Sequence, residues 1–319
     1  MRIAVFAYHD VGYECLKVLL DLKENIVAVV THEDDPEEAI WFRSVAELAR
    51  AHRISVYTPQ KPNAPEFVGL MHILSPDLIL SFYYRRLLSK DLLEIPRLGG
   101  INLHGSLLPK YRGRAPVNWA IINGEAETGV TLHYMIEEAD AGDIVAQRAV
   151  AIEERDTALD LYKKIIAASA ELLRETFPLI KEGKAPRMPQ DSRQATKFGG
   201  RRPEDGRILW DSPARAVYNL IRAVTHPYPG AFTYFGGRKL FVWQATVSGA
   251  WSKGSRQKAT GHRADPGTVE AAEKGKGIWV RTGDGSLLLA RTQLEGEEEA
   301  PADKLAARCG ITAGTRLGE

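Results

Sequence analysis

Cysteine is scarce. Cys15 and Cys309 are the only two in 319 residues. They lie far apart and match neither a disulfide framework nor a metal-ligand spacing. Each reads as a small buried hydrophobe or a surface thiol. That usage fits a reducing compartment, so a cytoplasmic location is expected. Long apolar runs are also lacking. None approaches the roughly 20 residues that span a bilayer, and no membrane insertion is expected. The opening MRIAVFAYHDVG carries one arginine and a short apolar run. It reads as a first strand rather than a signal peptide. Neither charge sign dominates: 42 Lys+Arg against 41 Asp+Glu leave a net +1, with no global pull toward nucleic acid or an anionic membrane. No G-x-G-x-x-G or Walker A pattern occupies the first turn, which argues against NAD, FAD or ATP bound in their usual ways. No H-E-x-x-H spacing is present and no metal is expected.

What is present is an ordinary globular composition, 44% hydrophobic and 26% charged, in a chain long enough for two domains. Arg2 to Ala7, Asn25 to Thr31, Ser55 to Tyr57, Asp77 to Phe82 and Gly100 to His104 read as strands, the longer ones compact apolar runs. Between them Tyr13–Lys23, Ser44–His52, Pro65–Leu74 and Leu88–Ile95 read as helices, with Tyr8 to Gly12 a loop. The alternation predicts a Rossmann-like, doubly wound parallel α/β sheet. Two more strands flank the Ala139–Gly142 turn, and a long helix covers Asp156–Glu182 with Asp156 as its cap. A polar linker with two prolines and two adjacent glycines follows. The predicted organisation is a catalytic domain over 1–190, a linker over 191–203 and a small β-rich, open-barrel-like domain over 204–319. Within the last, Trp251–Arg263 reads as an exposed basic loop and Glu297–Glu299 as solvated surface.

In such sheets ligands bind at the carboxyl ends of the strands. Three polar clusters fall there: Tyr8-His9-Asp10, Tyr83 to Arg86, and Asn102 to Arg114. Residues two apart on a strand share a side, so Asn102 and His104 project together. An amide and an imidazole side by side can both donate to one developing oxyanion, and histidine can move a proton near neutral pH. Asp140, in its Ala-Asp-Ala-Gly turn, is the candidate carboxylate to fix the imidazole and raise its pKa. A lone strand-end histidine is more often structural, and a turn aspartate is usually a turn former. Composition and spacing leave both readings open.

The wording of the motif goes further. Asn102-Leu-His104-Gly-Ser-Leu-Leu-Pro-Lys-Tyr-Arg-Gly113, followed by Asp140-Ala-Gly142, resembles the signature of enzymes that transfer a formyl group from 10-formyltetrahydrofolate. By that resemblance Asn102 would stabilise the oxyanion, His104 would act as proton donor, and Asp140 would pair with His104. Val5 to Asp10, Ser81 to Arg85, Tyr111 to Pro116, Phe198 to Arg202 and Pro227 to Ala231 resemble one branch, the formyltransferase domain of the bifunctional UDP-4-amino-4-deoxy-L-arabinose formyltransferase/UDP-glucuronate decarboxylase. The resemblance implies a folate site lined by Arg86, Leu87, Leu88, Arg114, Ile136, Glu137, Glu138, Ala139 and Asp140. It implies formylation of the 4-amine of a UDP-aminosugar, in lipid A modification and polymyxin resistance. The chain ends at Glu319 without the decarboxylase part. A stand-alone enzyme is expected, with any decarboxylase a separate protein.

The rival reading is methionyl-tRNA formylation. The loop Thr31 to Glu38 is strongly acidic, and like charge repels phosphate, so no nucleic-acid partner is expected. Formylation of a different dTDP- or UDP-aminosugar is a further alternative. A folate-binding module without catalysis is disfavoured because all three proposed catalytic residues are present. His9, Asp10 and Tyr84 could line a sugar pocket or cap nearby backbone. Arg201 and Arg202 could meet a diphosphate, for which arginine is suited, or be solvated. Trp119 and Trp243 read as core, and Tyr228 as a residue that could face a nucleotide base.

Overall fold

A computed structural model describes residues 1–36, 38–247 and 264–318. The basic stretch 251–263 lies outside them. The chain forms two compact units. The first comprises Met1–Val117, Ala126–Ile152 and Asp160–Gly200. The second comprises Asn118–Glu125, Glu153–Leu159 and Arg201–Glu319.

In chain order the elements up to residue 200 are β1 (Arg2–Ala7), α1 (His9–Asp21), β2 (Asn25–Val30), α2 (Val45–Ala51), β3 (Val56–Tyr57), α3 (Pro65–Leu74), β4 (Leu78–Phe82), α4 (Lys90–Leu93), β5 (Gly100–His104), β6 (Arg112–Gly113), α5 (Pro116–Ile122), β7 (Glu127–Tyr134), β8 (Ile144–Ala151), α6 (Ala158–Lys181) and β9 (Lys197–Phe198). The main sheet runs β3-β2-β1-β4-β5-β7-β8. The apolar runs explain it: β1 is buried from Ile3 to Ala7 and β4 along its whole length, as a sheet covered on both faces requires. Pairing is parallel from β3 through β5. The last two strands, β7 and β8, run antiparallel, so the doubly wound sheet has a mixed edge. The order reverses between β1 and β4, the switch point where such sheets bind ligands.

Local signals set the helix ends. Ser44 caps α2, its hydroxyl accepting from the Glu47 N–H at 3.2 Å. Pro65 opens α3. One expectation is corrected: Tyr8 to Gly12 is not a loop, because α1 begins at His9. Val11 and Gly12 are buried with Cys15 and Leu16, so the packed face of the helix extends a turn earlier than the leucine spacing suggested. A Cβ at Gly12 would lie 3.1 Å from the Ala7 Cβ, and glycine permits that close seat on β1. The polar stretch after α6 is also structured. Met188 exchanges both backbone hydrogen bonds with Ile144, and β9 pairs in parallel with β6.

The second unit holds α7 (Ala214–Val224), β10 (Ala231–Phe235), β11 (Arg238–Val247), β12 (Val269–Glu273), β13 (Gly277–Arg281), β14 (Ser286–Leu294), β15 (Ala300–Pro301) and α8 (Ala302–Cys309). Its antiparallel sheet runs β10-β11-β14-β13-β12, with β15 on β14. The β-rich expectation holds. β12 and α8 were not foreseen: Val-Glu-Ala-Ala-Glu lacks the β-branched and aromatic residues that mark a strand. Trp243 is buried, as expected, and stacks between His226 and Phe241. Trp119 is half-buried beneath the Arg201 guanidinium.

Phe6 lies fully buried in β1 with Phe67 and Tyr84 edge-on to it. Phe6→Ala should destabilise the protein by about 3–5 kcal/mol, read from urea unfolding. A loss below about 1 kcal/mol would show that this core does not hold the sheet.

Candidate active site

β5 delivers Asn102 and His104 to one end of the sheet, and its antiparallel neighbour β7 decides what they meet. The register sets Asn102 opposite His133 and His104 opposite Thr131. The Asn102 Nδ2 amide donates to His133 Nε2 at 3.1 Å, and His133 Nδ1 lies 2.9 Å from the Tyr134 carbonyl. A carbonyl can only accept, so the His133 proton is on Nδ1 and its Nε2 receives the amide hydrogen. His104 is arranged the other way. Its Nε2–H donates to the Tyr111 carbonyl at 2.7 Å, which leaves Nδ1 without a proton in the neutral ring. Asp140 closes the cluster. Its Oδ1 lies 3.5 Å from His104 Nδ1 and 3.6 Å from His133 Nε2, and its Oδ2 accepts from the Gly113 N–H at 2.8 Å. One carboxylate oxygen thus faces two proton-free ring nitrogens. The arrangement is built to receive a proton between them.

Burial acts on both ionisable partners. It pushes the His104 imidazole below its ordinary value, against the upward pull of Asp140 and of the Tyr111 carbonyl, while His133 adds to the lowering. Asp140 therefore raises His104 as expected, but desolvation outweighs it and the net shift is downward. The same burial pushes the Asp140 carboxyl up. Attraction to the His104 and His133 rings and the Gly113 N–H together outweigh that and hold it well below the usual carboxylate range.

The loop between His104 and Arg114 is fixed at several points. Thr131 Oγ1 donates to the Ser106 carbonyl at 2.6 Å and accepts from the Leu108 N–H at 3.1 Å. Gln147 donates to the Leu108 carbonyl at 2.8 Å. The Tyr111 N–H donates to Thr196 Oγ1 at 2.8 Å, and the Tyr111 ring stacks on Phe198. At Gly142 a Cβ would sit 1.9 Å from the Tyr134 carbonyl oxygen, so glycine lets the Asp140 turn lie against β7.

Residues 1–177 match the formyl transferase family, and residues 201–310 match the formyl transferase C-terminal domain. The chain belongs to the formyl transferase family. Among solved structures, this formyl transferase is similar to an N-formyltransferase from Helicobacter canadensis in complex with folinic acid and dTDP-3-aminofucose, at 19% identity and a TM-score of 0.67, covering 90% of this chain and 98% of that one. It is similar to WlaRD, a sugar 3N-formyl transferase in the presence of dTDP and 5-N-formyl-THF, at 19% identity and a TM-score of 0.68, covering 93% and 99%. HypX from Aquifex aeolicus in complex with tetrahydrofolic acid is similar at 18% identity and a TM-score of 0.63. The chain covers 47% of HypX, about half its length, and 97% of the chain is matched. At these identities the likeness is one of fold.

The other residues named from the motifs fall into three places. Arg86 and Leu87 are exposed and Leu88 is buried. Asn63 holds their backbone, donating to the Leu87 carbonyl at 3.0 Å and accepting from the Ser89 N–H at 2.8 Å. Because Phe82 pairs with Leu103, this loop leaves the sheet beside the Asn102 end. Ile136, Glu137 and Glu138 are exposed and Ala139 half-buried, on the same turn as Asp140, and Arg114 is exposed just past Gly113.

His9 and Tyr84 join a separate aromatic cluster of the first unit. His9 stacks on Phe42 at 3.8 Å and bonds Tyr162 Oη at 2.7 Å, and Tyr84 stacks on His32 at 4.3 Å. Burial, with Arg85 beside them, lowers both histidines to about 4. Tyr84 Oη is buried with no hydrogen-bond partner among the described residues. Burial pushes its phenol up to about 12. Arg201 and Arg202 lie in the second unit. The Arg201 guanidinium sits over Trp119 and donates to the Asp205 carbonyl at 2.7 Å.

His133 was missed from the sequence. Strand alternation put it on one face with Thr131, but only the register against β5 sets it beside Asn102. The two histidines should show opposite tautomers in 15N NMR at neutral pH, His104 protonated at Nε2 and His133 at Nδ1. The same tautomer in both rings would contradict the hydrogen-bond assignment.

Proposed function

We propose that this formyl transferase moves a formyl group from 10-formyltetrahydrofolate to the amine of a sugar nucleotide. The observation that carries the reading is the proton-accepting cluster at Asp140, next to an asparagine amide with one N–H held by His133 and a second to offer. When an amine attacks a formyl carbon, negative charge grows on the formyl oxygen and the amine nitrogen must lose a proton. Asn102 supplies the donor for the oxygen, and a preorganised donor acts without reorganisation at the moment of reaction. His104 takes the amine proton on Nδ1, and Asp140 stabilises the imidazolium that results. As the old carbon–nitrogen bond breaks, His104 can return that proton to the departing nitrogen. In this scheme His104 accepts before it donates, since its Nε2–H is held by Tyr111.

10-Formyltetrahydrofolate supplies the formyl group. The segments proposed to hold it suit a flat ring system. Leu87 is 66% and Ile136 51% exposed, large apolar side chains that a ligand would cover. Asn63 fixes the backbone there by bonding the Leu87 carbonyl and the Ser89 N–H. Arg114 and the turn through Glu137, Glu138 and Ala139 complete the proposed set.

For the acceptor, an aminosugar is favoured over tRNA by the acidic loop after β2. Glu38 pairs with Arg85 through two bonds of 2.7 Å, Asp34 accepts from Tyr8 Oη at 2.9 Å, and Glu33 accepts from Thr58 at 3.1 Å. These bonds hold negative charge at the carboxyl end of the sheet, where it would repel an RNA backbone. His9 and Tyr84 are proposed sugar-side residues. Within the class, the resemblance in sequence points to UDP-4-amino-4-deoxy-L-arabinose. A dTDP-aminosugar is the second reading, favoured by the nucleotides named with the two similar structures.

Protein and 10-formyltetrahydrofolate offered UDP-4-amino-4-deoxy-L-arabinose, a dTDP-aminosugar and methionyl-tRNA together should formylate a sugar nucleotide. Formylation of the tRNA alone would overturn the reading. Asn102→Ala should lower kcat by about 10²–10³-fold, measured on the preferred acceptor. An unchanged kcat would remove Asn102 from the reaction.

A further inference from the structure

The segment after α6 falls between the two family matches, which end at 177 and resume at 201. It contains one side chain that touches both arms of the site. Gln190 Nε2 donates to the Asp140 carbonyl at 2.8 Å and to the Gly142 carbonyl at 2.7 Å. Its Oε1 accepts from Arg112 Nε at 3.1 Å and from Arg112 Nη2 at 2.8 Å. An amide side chain has two donor hydrogens and two acceptor lone pairs, and here all four are used.

We propose that Gln190 is a positioning residue: it clasps the Asp140 turn to the Arg112 loop and so sets the separation of Asp140 and His104. The inference rests on reading those two as the reacting pair.

The chemistry requires an amide. A carboxylate at 190 would satisfy Arg112 but could not donate to two carbonyls, and a lysine could donate but not accept. The place of Gln190 is itself fixed, because Met188 is paired with Ile144 two residues before it. On one arm, Asp140 sits in the left-handed region at φ 57°. A non-glycine residue persists there only when its surroundings hold it. Two of the carbonyls around that residue are the ones Gln190 binds. On the other arm, Arg112 is buried and flanked by Tyr111, whose carbonyl accepts from His104, and by Gly113, whose N–H donates to Asp140. The arms are linked elsewhere by that Gly113–Asp140 bond and by Arg112 Nη1, 3.5 Å from Glu138. Without the clasp the turn is free to draw Asp140 away from His104, and the upward pull of the carboxylate on the imidazole weakens.

The test is an NMR titration of the His104 ring in the full chain, without acceptor or folate. His104 and the other buried histidines are assigned by single substitution. The charged and titratable groups facing the pair are His133, Arg112 and, through Arg112, Glu138. Asp140→Asn gives the full effect of losing the carboxylate. Gln190→Ala, and Gln190→Met as a variant of nearly equal volume, are then compared with it. Arg112 keeps Glu138 as a partner in both.

The expected result is a His104 midpoint lowered by about half a pH unit or more in both Gln190 variants, in the same direction as Asp140→Asn. A midpoint equal to wild type in folded Gln190 variants, with Asp140→Asn shifted, would show a structural role and overturn the proposal. So would failure of both variants to fold, which would make Gln190 a folding element. Because no acceptor is present, the titration stands apart from the substrate assignment. A protein inactive on every aminosugar could still show the shift, and an active one could lack it.

Discussion

One largely buried carboxylate ties the site together. Asp140 meets a ring nitrogen of His104, a ring nitrogen of His133 and the Gly113 N–H. These partners come from three separate stretches of the first unit. Taking a carboxylate out of water is costly unless it is paired and hydrogen-bonded, so the three stretches are not independent. The 111–114 loop supplies the N–H that the carboxylate accepts, and β5 and β7 bring the imidazoles that pair with it once one is protonated. Small residues permit the approach, since Gly142 lies against the Tyr134 carbonyl and Gly113 adopts a φ of 101°. The two histidines hold opposed tautomers. Each gives its proton to a backbone carbonyl and turns a bare nitrogen toward the aspartate side.

Much of this was legible in the amino-acid sequence where the controlling physics is local. The apolar runs of β1 and β4 demanded a buried parallel sheet. The two-residue period of a strand placed Asn102 and His104 on one side, and the wording around them marked the family. What was not legible is non-local. His133 is brought to Asn102 by an antiparallel register between strands about thirty residues apart, and alternation along one strand cannot reveal its partner. Gln190 binds backbone carbonyls, which carry no sequence signal, from a stretch whose prolines and polar residues read as a linker. The sign of the His104 shift was missed for a related reason. A neighbouring carboxylate could be inferred from the motif, but the depth of burial could not.

On the proposed reading, substrate choice lies in a different part of the first unit. The acidic loop after β2 is held by Arg85, Tyr8 and Thr58 rather than left to wave in solvent, and Arg85 also donates its backbone N–H to His32 at 3.0 Å. His32 in turn stacks on Tyr84. Charge, aromatic surface and the β4 loop are thereby coupled at the carboxyl end of the sheet. On the proposed reading that end receives the sugar amine and disfavours the extended phosphate backbone of an RNA, while the Asp140 cluster carries out the transfer. The chemistry and the selection are then separable, and acceptors could differ among relatives that share the cluster.

In the proposed reaction a neutral His104, lowered by burial and steadied by Asp140, collects the proton of the attacking amine. The pH dependence of kcat, measured with both substrates saturating, tests it most directly. A base that must be proton-free loses activity as pH falls through its pKa. The acid limb should then lie below the ordinary imidazole value of 6.5. A limb at or above that value, or a kcat that rises as pH falls through this range, would contradict it.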